Sequence, residues 1–109
     1  MQRVRVTESA KQDIRENLVW WGENRSEEQA ERWYLGVYAE IASLASTALQ
    51  RQLASEAALR EAGYRQASFG LGRHPTHRIV FGVEGDEVVV YRVRALKQDS
   101  IDLEALGDD

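Results

Sequence analysis

The 109-residue chain has no cysteine, one proline and two histidines. Without cysteine there can be neither a disulfide staple nor a thiolate metal site, and the composition fits a reducing cytosol. No apolar run approaches the ~18 residues that a membrane span needs. The opening MQRVRVTESA reads into a strand and a helix cap, not a signal peptide. His74 and His77 form H-x-x-H, but on a Gly/Pro loop entering a strand, with no nearby acid before Glu84. An exposed loop is the expected reading, with no metal and no cofactor. Ser–His–Asp, phosphate-loop and dinucleotide signatures are missing too, and Gly70-x-Gly72 is a turn signal only.

What is present suits one small soluble domain over residues 1–109. Hydrophobic residues make up 43%, enough for a modest core, and charged residues 29%, ordinary for a solvated surface. The net charge of -4 argues against a simple nucleic-acid binder. Its distribution is uneven. Residues 1–61 hold eight basic and ten acidic side chains; residues 62–98 hold six basic and three acidic; residues 99–109 hold five acids and no base. A basic region is therefore followed by an acidic C-terminal tail, 99–109.

Periodicity predicts the elements. Residues 2–6 alternate as a short strand with Val4 and Val6 inward. Thr7 is a helix N-cap, and Ala10, Ile14, Leu18 and Trp21 then form one helical stripe that ends near Gly22 and Asn24. Ser26-Glu27-Glu28-Gln29 has capping-box form, with both glutamates in the first turn where the helix dipole favours them. Ala30, Trp33, Val37, Ile41, Leu44 and Ala48 make the next apolar face, widened by Tyr34 and Tyr38. The short connection predicts an antiparallel helix hairpin. Residues 50–62 are ambiguous between continued helix and a turn with a second helical piece. Tyr64–Phe69, His77–Val83 and Glu87–Arg94 read as strands, the last two joined at Glu84-Gly85-Asp86. The fold class is α+β, a short N-terminal strand and a helix hairpin packed on an antiparallel sheet.

A three-residue turn would set Val83 opposite Glu87, Ile79 opposite Tyr91 and Phe81 opposite Val89 on an apolar, helix-facing side. Arg78 would then face Arg92 on the other side, with Arg65 near them. Shifting the register by one would bring Arg92 beside Ile79 in the core, so the first register is expected. Such an arginine group is ready for an anion, because guanidinium forks suit carboxylate and phosphate alike. The anion could belong to a partner or to Asp99, Asp102 or Glu104 of the chain's own tail. Of the adjacent Trp20 and Trp21, one is expected in the core.

VRVTESAKQDI at 4–14, WW at 20–21, AERWYLGVYAEIASL at 30–44, GYRQASFG at 63–70 and HRIVFGVEGDEVVVYRVRALKQD at 77–99 together resemble the ParE/RelE superfamily of type II toxin–antitoxin toxins. The last segment carries most of the likeness, with Arg78 at the family's recurrent arginine. The resemblance implies a helix hairpin on an antiparallel sheet, a cytoplasmic bacterial toxin and a cognate antitoxin whose extended segment wraps it.

Two activities follow from that resemblance, ribosome-dependent mRNA cleavage in RelE-like members and DNA gyrase inhibition in ParE-like ones. RNA cleavage needs a base, an acid and cations around the phosphate. Arg65 and Arg78 match basic positions of the nucleases, and Arg94 and Lys97 could add to them. Yet Ala95 stands where many relatives have histidine, and Gln98 to Asp102 contain no tyrosine. Arginine is no base near neutral pH. The ParE-like branch is expected, with an RelE-like nuclease or an inactive, antitoxin-binding member as alternatives. No catalytic residue is assigned. Antitoxin or anion contacts are expected from exposed aromatics among Trp20, Trp33, Tyr34 and Tyr38 and from Arg65, Arg78, Arg92 and Arg94.

Overall fold

A computed structural model describes residues 2–97 and 100–107. In order these form β1 (Arg3–Val6), α1 (Glu8–Asn24), α2 (Glu27–Thr47), a 3-10 turn (Ala48–Gln50), α3 (Ala57–Glu61), β2 (Arg65–Phe69), β3 (His77–Glu84), β4 (Glu87–Ala95) and a second 3-10 turn (Leu103–Leu106). The caps are where the sequence puts them. Thr7 Oγ1 accepts the Ala10 amide at 3.1 Å, and Ser26 Oγ accepts the Gln29 amide at 3.0 Å. Each satisfies one of the donors that a helix start leaves unpaired. The ambiguous stretch resolves into the 3-10 turn, a single bridge between Leu53 and Arg65, and the short α3.

The sheet runs β1-β4-β3-β2. β2, β3 and β4 are antiparallel as expected, but β1 pairs with β4 in parallel, from Arg3 opposite Glu87 to Val6 opposite Val90, so the sheet is mixed. One face lies on the helix hairpin. There Ala10, Ile14, Trp33, Val37, Ile41 and Leu44 meet Ile79, Phe81, Val88, Val90 and Val93.

The β3–β4 register differs from the expected one. The turn has two residues, Gly85 and Asp86, with Glu84 opposite Glu87. Gly85 sits at φ 63°, the left-handed region that glycine enters without a Cβ penalty and that the first position of a II′ turn requires. A bulge then inserts Tyr91, because Phe81 pairs with Val90 while Val80 pairs with Arg92. Val88 and Val90 therefore join Val93 on the helix side, while Val89 and Tyr91 join Val80 on the opposite side. Arg78 stands opposite Arg94, not Arg92. In regular pairing a shifted register would bury Arg92; the bulge allows the shift at the hairpin end and still keeps Arg92 out of the helix-facing core.

The second face is also buried, contrary to the arginine-lined face expected. Ala54, Leu59, Val80, Val89, Tyr91, Ile101 and Leu106 form its cluster. Residues 51–62 and the C-terminal segment cover it. The described part of that segment folds back by Ile101 and Leu106. Asp102 caps its own 3-10 turn through the Ala105 amide, and Glu104 is exposed. Among the described residues no tail acid pairs with an arginine; Asp99 lies outside them. Among the described residues no helix is long and apolar enough to cross a membrane.

Candidate functional site

The four sheet arginines go to different places. Arg78 is buried, and both terminal nitrogens of its guanidinium are occupied. It pairs with both carboxylate oxygens of Glu56, donates to Gln66 Oε1 at 2.9 Å and to Ser55 Oγ at 3.2 Å. Glu56 also accepts the Ile101 amide at 2.8 Å. Hydrogen bonding from Arg78 holds the Glu56 carboxyl down at about 2, against the opposing effect of burial. Arg92 forks onto Asp13 of α1 at 2.7 and 2.8 Å and reaches the Ala105 carbonyl at 3.3 Å. Arg65 donates to the Arg51 carbonyl at 2.6 Å. Arg94 is half-buried, and its Nε has no hydrogen-bond partner among the described residues. Lys97 is exposed in the turn after β4. Arg78 and Arg94 are cross-strand neighbours; Arg65 and Arg92 are each drawn away by another partner.

Sequence reasoning missed Glu56 and Asp13, the acids that hold these arginines. Asp13 had a signal. With Ala10, Ile14 and Trp21 it lies on the buried stripe of α1, where a carboxylate needs a cation. Glu56 had none, since its segment shows no period.

The expected exposed loop at the histidines is half right. His74 is exposed, but His77 is buried as the first residue of β3. Its Nε2 is 2.8 Å from Asn17 Oδ1, its Nδ1 is 2.7 Å from Thr76 Oγ1, and its ring lies 5.1 Å from that of Trp33. Burial lowers its pKa to about 4, so it is neutral near pH 7. Among the described residues no group of three metal-ligating side chains comes together.

The aromatics divide as well. Trp33 is fully buried, not exposed, because it fills the space between α2 and the sheet. Trp20 is 46% exposed and stands edge-on to the buried Trp21 at 5.6 Å, with the Arg25 guanidinium 5.7 Å from its ring. Tyr34 is 37% exposed and packs on Tyr38 at 5.1 Å. Trp20, Tyr34 and the edge of Tyr38 are the aromatic surface that the helix hairpin leaves open.

Residues 4–99 match the family model described as ParE toxin of type II toxin-antitoxin system, parDE. The chain belongs to the ParE toxin family. A solved structure titled "Chromosomal ParDE TA system from P. aeruginosa" shares the fold with a TM-score of 0.74 at 16% identity, over 89% of this chain and 98% of that one. No curated protein matches the sequence. Arg78, which the resemblance sets at the family's recurrent arginine, is here buried and hydrogen-bonded to Glu56 and Gln66.

Proposed function

We propose that this ParE-family toxin acts by binding a macromolecular target, with DNA gyrase as the candidate, and that a cognate antitoxin neutralises it. The observation that carries a binding mode of action is the commitment of Arg78 to Glu56, Gln66 and Ser55. A nuclease would need that guanidinium turned toward a phosphate, with a proton-transfer group beside it. The position after Val93-Arg94 is Ala95, and the one buried imidazole, His77, lies on the helix side of the sheet against Trp33. The antitoxin is assigned to the open aromatic surface at Trp20, Tyr34 and Tyr38, with Arg94, whose Nε has no hydrogen-bond partner among the described residues, available to an acidic residue.

Induced expression with and without the adjacent small gene tests this reading. Growth arrest that the second gene relieves, with inhibited gyrase supercoiling by the purified chain, is the expected result. New 5′ ends on translated mRNA in a primer-extension experiment would reject the binding mode in favour of cleavage. Antitoxin binding without growth arrest would leave a family member that only binds.

A further inference from the structure

At the hairpin end of the second sheet face lies a cleft of about 340 Å³, lined by Tyr64, Gly82, Glu84, Tyr91, Leu106 and the backbone of Ala62-Gly63. This is the lower end of the range for ligand pockets. Three features give it a chemical preference. Tyr64 and Tyr91 both line the cleft and meet edge to face at 5.5 Å, so aromatic rings form part of its wall. Gly82 keeps the floor open, since a Cβ there would sit 3.3 Å from Tyr64 and 3.4 Å from Tyr91. The Tyr91 hydroxyl donates to Glu84 Oε2 and fixes the carboxyl group at the rim, with further acceptor capacity on its oxygens.

Glu84 differs from the other acids of its hairpin. Asp86 is answered by Arg3 at 3.6 Å and Glu87 by Arg5 at 3.2 Å. Glu84 has no cation within ion-pair distance among the described residues. An aromatic wall, an oriented carboxylate without a cation and an open floor together suit a planar cation. A guanidinium can fork onto the carboxylate and lie on a tyrosine ring at once.

We propose that this cleft receives an arginine side chain of a partner protein. The rim at Ala62 and Gly63 is exposed and carries almost no side chain, so a passing peptide backbone has room to deliver the side chain from outside. The proposal does not depend on which macromolecule the toxin arrests, nor on where an antitoxin docks.

The test is an amide NMR titration of the full chain with three probes: N-acetyl-arginine amide, its neutral isostere N-acetyl-citrulline amide, and a blocked Gly-Gly-Arg-Gly-Gly peptide, with free arginine alongside. Saturable shifts at Gly63, Gly82, Glu84 and Tyr91 are expected with the arginine probes. Glu84→Gln, which keeps an acceptor for Tyr91, should weaken binding roughly tenfold or more, the size of a charge-assisted hydrogen bond. Glu16→Gln, on the exposed side of α1, should leave it unchanged. Equal shifts with citrulline, or indifference to Glu84→Gln in a variant whose spectrum is otherwise native, would overturn the proposal. Tighter binding of free arginine than of the pentapeptide would overturn the partner-protein source.

Discussion

Asp13 holds Arg92 with both carboxylate oxygens and at the same time accepts the Val93 amide at 3.0 Å. The pairing of β1 with β4 stops at Val90, so the next part of β4 has no strand neighbour on that side. Asp13 takes over one of its donors. Thr7 does similar work one step earlier: its amide donates to the Val90 carbonyl at 3.0 Å and its hydroxyl to the Tyr91 carbonyl at 3.1 Å. The start of α1 thus finishes the edge that β1 leaves open, as buried backbone groups require.

Asp13→Ala should destabilise the fold by about 3 kcal/mol, since it takes the carboxylate away from a mostly buried guanidinium and from an amide together. Urea unfolding of Asp13→Ala, Arg92→Met and the double variant measures the coupling. A double variant no less stable than Asp13→Ala alone is expected; strictly additive losses would show that the pair is not the source.

His77 makes stability fall in mild acid. Its folded pKa of about 4 lies below its ordinary 6.5, so between those values the unfolded chain takes up a proton that the folded one refuses. The loss should be on the order of 3 kcal/mol between pH 7 and pH 4. His77→Gln should flatten the urea midpoint across that window, whatever its own stability at pH 7. A slope as steep as in the parent chain would place the titrating group elsewhere.

Glu56 acts in a lower window. Its folded pKa of about 2 lies below its ordinary 4.5, so its contribution is complete above that value and is lost as pH falls through 2. Arg78→Met should remove this acid-dependent loss between pH 4.5 and 2, and should cost about 3 to 5 kcal/mol near neutrality by leaving Glu56 without its cation. An acid limb retained in full by Arg78→Met would argue against the pair.

The tryptophans should separate binding from stability. Trp33→Ala is expected to cost about 3 to 5 kcal/mol, as for a large core ring. Trp20→Ala should cost little, because its ring is nearly half exposed, yet weaken antitoxin binding at least tenfold if that surface is the docking site. Calorimetric titration of the refolded toxin gives the second quantity, and an unchanged dissociation constant would move the antitoxin elsewhere.

Much of the fold could be read from pattern. The caps at Thr7 and Ser26 and the stripe from Ala30 to Ala48 follow from local chemistry and helical spacing, and both came out at the expected residues. The second buried face could not be read in the same way. Val88-Val89-Val90-Tyr91 is a continuous apolar run, as a strand covered on both sides should be, and continuity says nothing about which side each residue takes. The arginines were legible as a group in sequence but not in space. Their partners, Asp13, Glu56 and the Arg51 carbonyl, come from segments remote in the chain. His77 was misjudged because the loop before it reads as exposed, whereas Asn17 and Trp33 close over it.

The inserted Tyr91 means that parity along β4 changes meaning part-way. Val90 and Arg92 are two residues apart and would share a face in a regular strand, yet one packs under the helices and the other reaches out to Asp13. Roles carried onto this strand from a relative by counting from the hairpin hold as far as Tyr91 and reverse beyond it unless that relative bulges at the same place. Deleting Tyr91 would accordingly join Val90 directly to Arg92 and restore regular alternation, leaving Arg92, Val93 and Arg94 on the sides they already hold and removing the ring that packs on Tyr64.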